Sequence, residues 1–101
     1  METHVCHKFE QASKMLSKPW VGLIINQLLH GPKRFNQLES EIHISGKVLS
    51  TKLRELEHLG LINRLIYDEK PVRIEYQLTE KGKSLEPIMK TMADWSQTWI
   101  T

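Results

Sequence analysis

Apolar residues recur at helical spacing through the first half of the chain. Phe9, Ala12, Met15 and Leu16 mark a first helix over about 8–17, closed by Pro19, which disfavours helical backbone at Lys18. Trp20, Leu23, Ile24 and Leu28 carry the same period into a second helix that ends near His30, where Gly31 can take a left-handed cap and Pro32 blocks continuation. Phe35, Leu38 and Ile42 predict a short helix over about 34–42. A polar turn at 43–46 separates it from a longer pattern, Val48, Leu49, Leu53 and Leu56, which stops at Gly60. With Leu49, Leu53 and Leu56 on one face, Lys47, Ser50, Thr51 and Arg54 fall on or beside the opposite one. Two helices joined by a short turn, the second with a Lys/Ser/Thr/Arg outer face, have the shape of a helix-turn-helix.

The period then changes. LINRLIY at 61–67 and RIEYQLT at 73–79 read as strands, the second alternating Ile74, Tyr76 and Leu78 against Arg73, Glu75 and Gln77, with DEKPV as the turn between them. A hairpin directly after a helix-turn-helix is a wing. The tail returns to helical spacing, with Thr79 as N-cap. Leu85, Ile88, Met92, Trp95 and Trp99 are spaced three, four, three, four, an a/d seam, and Pro87 inside this helix is expected to kink it. Two tryptophans at the end of so small a chain have little core of their own to enter. A partner chain would cover them, with Phe9, Ala12 and Leu16 of the first helix as neighbours. The fold class expected is α+β, mainly α: a winged helix-turn-helix with N- and C-terminal dimerisation helices.

At 101 residues the chain reads as one domain: 1–18 as N-terminal arm and first helix, 19–79 as winged helix-turn-helix, 80–101 as dimerisation helix. Sensing and action would then share one unit. The longest apolar run, 21–29, is broken by Asn26 and Gln27 and is far short of the roughly 20 residues that span a bilayer, so no membrane partner is expected. An acidic opening without an apolar stretch argues against a signal peptide, and a single cysteine suits a reducing compartment; the expected location is cytoplasmic. Net charge is only +2, but its distribution is uneven. Between Lys33 and Arg54 five basic residues (Lys33, Arg34, Lys47, Lys52, Arg54) face two acids (Glu39, Glu41), which places the basic excess on the motif.

KPWVGLIINQLLHGPKRFNQLE, GKVLSTKLRELEHLGLINR and PVRIEYQLTEKGKSL together resemble the HxlR-type winged-helix transcriptional regulators of bacteria, a branch close to the MarR-type regulators. The resemblance rests on Trp20, the GPKRF block at 31–35, the Leu-Ser-x-x-Leu-x-x-Leu register of the recognition helix, Gly60-Leu61, and Tyr76-x-Leu78-Thr79 leading to Lys81-Gly82. It covers nearly the whole chain. It implies a homodimer joined through the N- and C-terminal helices, binding a roughly palindromic operator as a regulator of transcription, a repressor being the expected sense. Some members of that family carry a cysteine near the N-terminus, where Cys6 stands, and respond through it to quinones, aldehydes or oxidants. This chain departs from members with a second cysteine near the C-terminus, so no disulfide between two different cysteines can form.

On this reading Lys47, Ser50, Thr51 and Arg54 meet double-stranded DNA, with Ser45 at or near the N-cap of their helix. Glu55, Glu57 and Glu75 compete for Arg54. Lys33 and Arg34 precede the first helix of the motif, placed either for phosphate or for an ion pair with Glu39 or Glu41. Lys70 and Arg73 lie at or near the wing tip, positioned for the minor groove or its phosphates, although Asp68 and Glu69 dilute their charge. A solvated helix face and an exposed hairpin tip are the plainer alternatives. Phe9, Leu16, Leu85, Ile88, Met92, Trp95 and Trp99 are assigned to the dimer interface rather than to a cofactor pocket.

Cys6 stands in THVCHKFE, just before the expected first helix and beside Lys8 and two histidines. A helix N-terminus and nearby cations both lower a thiol pKa from its usual value of about 8.5. The residues alone favour an inert thiol, and it is the family resemblance that makes a redox-sensing thiol the expectation here, open to sulfenic acid formation, mixed disulfide, alkylation by a small electrophile, or a Cys6–Cys6 bond between subunits. A buried, inert cysteine is the alternative. His4, Cys6 and His7 could ligate metal, but three ligands within four residues do not readily close a tetrahedral shell, and no metal or cofactor is expected. With no Cys-x-x-Cys, HExxH, Gly-rich phosphate loop or Gly-x-Ser-x-Gly, the chain is not expected to be an enzyme. A winged-helix module that binds proteins without DNA is the competing function.

Overall fold

The structure, a computed structural model, describes residues 3–101, with side chains from His7 onward. Six helices and three strands run in the order α1 (Thr3–Leu16), α2 (Val21–Leu28), β1 (Lys33–Arg34), α3 (Phe35–Ile42), α4 (Gly46–His58), β2 (Ile62–Tyr67), β3 (Arg73–Leu78), α5 (Glu80–Lys83) and α6 (Glu86–Trp99). β2 and β3 form the antiparallel wing with Ile66 opposite Ile74, and β1 adds to the far edge of β3 through Lys33 opposite Tyr76, giving the order β1-β3-β2. This is a winged helix-turn-helix.

The core gathers one face of the central elements: Val21, Ile24, Ile25 and Leu28 of α2, Leu38 of α3, Leu49, Leu53 and Leu56 of α4, and Leu61, Ile62 and Leu78 of the wing base are all buried. α4 is closed at both ends by local bonds. The Ser45 hydroxyl accepts from the Val48 N–H at 3.3 Å. At the other end Gly60, at φ 75°, donates to the Glu57 carbonyl, and Leu61 donates to Leu56 across the turn. That is a Schellman closure, with buried Leu56 and Leu61 as its apolar pair.

Several boundaries differ from expectation. α1 begins at Thr3 rather than near Lys8, so the backbone at Cys6 lies within its first turn instead of ahead of it. Trp20 does not open α2 but precedes it in the left-handed region at φ 73°, and α2 stops at Leu28, two residues short of His30. β1 was missed because two residues beside a proline carry no periodicity. The tail is not one kinked helix. Pro87 has no N–H, and its ring would meet the carbonyl four residues back at Lys83, so α5 ends there and Pro87 sits in the first turn of α6, where neither defect matters. Val48, grouped with the core leucines, is 37% exposed.

α5 is clasped to the end of α4. Thr79 caps α5 by accepting from the Gly82 N–H at 3.1 Å, while its own hydroxyl donates to the Gly60 carbonyl at 2.6 Å. The Lys81 ammonium donates to the Leu59 carbonyl at 2.7 Å. Gly82 is buried so tightly that an added Cβ would collide with the Leu61 carbonyl oxygen. The Leu78-Thr79 and Lys81-Gly82 pairs thus tie the recognition helix to the tail.

Candidate nucleic-acid interface

α3 and α4 cross with Leu38 and Leu49 buried between them, and this crossing fixes which side of α4 faces outward. Lys47, Thr51, Arg54 and His58 follow one another along the exposed side, while Ser50 is half-buried at its edge. The Thr51 hydroxyl donates back to the Lys47 carbonyl at 3.3 Å, and the Ser45 hydroxyl is engaged at the cap. Among the described residues no carboxylate lies within salt-bridge distance of Lys47 or Arg54, because each acid that could have neutralised Arg54 is taken by another cation. Glu55 pairs with Lys52 at 3.4 Å, Glu57 with Arg64 at 3.4 Å, and Glu75 with Arg73 at 3.3 Å. The acids of α4 are thus turned to its flanks, leaving the outer stripe cationic.

Two other expected contacts are committed elsewhere. The Lys33 side chain is only 16% exposed, and its ammonium lies 2.9 Å from Glu41. Glu41 also accepts from the Gln27 amide at 3.0 Å. The hydrogen bond from Lys33 is the main cause that holds the Glu41 carboxyl below the ordinary value, against a smaller opposing effect of burial. Of the two readings of Lys33, the ion pair is the one the structure contains. Arg73 is held inside the wing by Glu69 at 3.0 Å and Glu75 at 3.3 Å, with its guanidinium 3.9 Å from the centre of the Tyr67 ring. It braces the hairpin through these contacts, with its side chain 30% exposed. Arg34 remains exposed, its backbone N–H donating to Gln37 at 2.8 Å at the start of α3. Lys70 is exposed in the turn between β2 and β3.

A shallow groove of about 380 Å³, lined by Lys18, Thr51, Arg54, Glu55, His58 and Leu59, borders the stripe on α4. Lys18 and His58 were not singled out from sequence. Lys18 sits in the α1–α2 turn, remote in sequence from α4, and no local pattern joins the two.

The tail seam divides. Leu85, expected at the interface, is 8% exposed and packs in the chain's own core, and Met89 is buried with it at 3%. The break at Ser84–Leu85 turns both inward. Ile88, Met92, Trp95 and Trp99 instead stand open, Trp95 at 57% and Trp99 at 68%, alongside Leu23 of α2. On α1, Phe9 is 74% exposed while Leu16 packs against the core. The side chains of His4 and Cys6 lie outside the described residues. Among the described residues no three potential ligands gather to hold a metal, and no helix is long and apolar enough to cross a membrane.

The architecture and the cationic outer face of its second helix define the class: a winged helix-turn-helix regulator of transcription. The model of the HxlR-like helix-turn-helix matches residues 15–101, and the chain belongs to that family. It is 47% identical over 100 residues to the HTH-type transcriptional regulator YvaP of Bacillus subtilis, covering 98% of this chain and 93% of that one. It is 41% identical over 97 residues to the HTH-type transcriptional regulator YodB of the same organism, covering 95% and 87%. The reduced form of YodB superimposes with a TM-score of 0.82 at 40% identity over 92% of each chain. The redox regulator HypR in its oxidized form gives 0.84 at 34% identity, over 90% of this chain and 95% of that one. Diamide-treated YodB gives 0.76 at 40% identity over 93% and 94%, and quinone-bound YodB 0.77 at 38% over 91% and 97%.

Proposed function

We propose that the chain acts as a cytoplasmic homodimeric repressor, without enzymatic activity, that binds a pseudo-palindromic duplex through the outer face of α4 and loses it when Cys6 is modified. The observation that carries the DNA reading is the stripe of Lys47, Thr51 and Arg54 on the second helix of a helix-turn-helix, with no carboxylate partner among the described residues. Residues toward the N-terminal end of such a helix reach base edges, and the cations take phosphate. Arg34 and Lys70 are the outlying phosphate contacts of this reading. Dimerisation is supported by Phe9, Ile88, Met92, Trp95 and Trp99, which no other part of the chain covers among the described residues.

The thiol switch is supported by the place of Cys6 in the first turn of α1, one of the two helices assigned to the dimer contact. It is supported too by likeness to YodB, whose structures include diamide-treated and quinone-bound forms, and to HypR, described as a redox regulator. Modification of the single thiol would repack α1 against α6 and rotate the subunits. Half-sites about 34 Å apart tolerate little such rotation.

The test is fluorescence anisotropy of a labelled fragment from the region upstream of this protein's gene, with reduced wild type, diamide-treated wild type and Cys6→Ser. Loss of binding on treatment only where Cys6 is present is expected. Binding indifferent to treatment would retain the regulator and remove the switch. Absence of salt-sensitive binding to this or other duplexes would favour a protein-binding module.

A further inference from the structure

The groove beside α4 is assigned here from its charge and its place. Lys18, Arg54 and His58 bring an ammonium, a guanidinium and an imidazole to one exposed concavity, with the Thr51 hydroxyl at its edge. Among the described residues none of the three has a carboxylate within salt-bridge distance. The single acid of the groove, Glu55, is drawn to Lys52 at 3.4 Å. Leu59, half-buried, also lines the groove.

The geometry points to a DNA-backbone clamp: the groove of Lys18, Arg54 and His58 seats a phosphate at the far end of the recognition helix, so that the α1–α2 turn is a second point of attachment to the duplex. This rests on the DNA-binding reading above and extends it to residues outside the helix-turn-helix. Length supports it. From Lys47 to His58 the helix rises about 16 Å at 1.5 Å per residue, whereas the major groove is about 12 Å wide. A helix seated across the groove with Lys47 near base edges carries His58 beyond them, to where the sugar–phosphate chain runs. Lys18 reaches the same place from a different element, and a phosphate between the two would fix the angle of α4 on the duplex as well as adding affinity. The sequence-specific contacts and this one are separable: neutralising Lys18 weakens all duplexes alike, since phosphate carries no sequence.

The experiment measures affinity for a labelled 30-base-pair duplex from the upstream region, and for a scrambled duplex of the same composition, from 50 to 300 mM KCl. Lys18→Gln is expected to lower the slope of log K against log salt by about 0.9 per bound protomer and to weaken both duplexes about 5-fold per protomer at 150 mM. Lys18→Arg keeps the wild-type slope, and Lys83→Gln, an equal charge change on α5, leaves it unchanged. A wild-type slope in Lys18→Gln while Arg54→Gln reduces it would overturn the clamp and leave DNA binding by α4 intact. Wild-type protein with no salt-dependent affinity for either duplex would overturn the clamp together with the reading beneath it.

Discussion

Single residues show where charge and backbone geometry have been assigned structural tasks. Glu41 accepts from both Lys33 and Gln27, so its carboxyl ionises more readily in the folded chain than in the unfolded one. A group whose folded pKa is depressed contributes stability that is fully present above its unfolded value and is lost as pH falls through the folded value. Urea midpoints measured at pH 7 and pH 3 are therefore expected to fall less in Glu41→Gln than in wild type. His43 lies in the left-handed region at φ 54° where α3 ends, with Ile44 donating to the Glu39 carbonyl. Glycine takes that conformation without a Cβ penalty, and His43→Gly is expected to raise unfolding free energy by about 0.5–1 kcal/mol in denaturant titration. Neither site was visible beforehand in full. The sequence offers Glu41 as a partner for Lys33 only as one of two options, because eight residues of separation across a strand and a helix leave no periodic trace.

At the scale of elements, the clasp between α5 and the end of α4 makes a sharp expectation. Gly82→Ala places a methyl against the Leu61 carbonyl, within contact distance of buried Leu78, and is expected to cost about 2 kcal/mol or more in thermal or denaturant unfolding. The helices and wing were legible because they are long enough to repeat a period. Leu38, Leu49, Leu53 and Leu56 were marked by spacing, and all are buried. What escaped was set by single covalent facts or by tertiary contacts. The helical spacing around Pro87 suggests a kink, but its missing N–H is better placed in the first turn of a new helix, and the break before it turns Leu85 and Met89 into the core. β1 exists only because β3 offers an unpaired edge. Arg73 looked available at a wing tip, yet on a strand residues two apart share a side, and that alternation could have joined it to Glu75 in advance.

For the whole molecule the two terminal helices make the strongest statement. The radius of gyration is 15.1 Å, larger than the roughly 13 Å of a compact chain of about 100 residues. α6 buries Met89 and leaves Trp95 and Trp99 open, an arrangement that suits a helix with a partner. Sedimentation equilibrium is expected to give twice the 11.8 kDa chain mass, and Trp95→Glu, altering a residue more than half exposed, is expected to give the monomer mass with an unchanged circular dichroism spectrum. DNA is proposed to sit on the outer face of α4. The direct measurement is a ¹H–¹⁵N correlation map of the labelled protein titrated with the upstream duplex. The largest shifts are expected on Ser45, Lys47, Ser50, Thr51 and Arg54, weakening in register with added salt. Shifts confined to the tail or to the wing, with the amides of α4 unmoved, would contradict it.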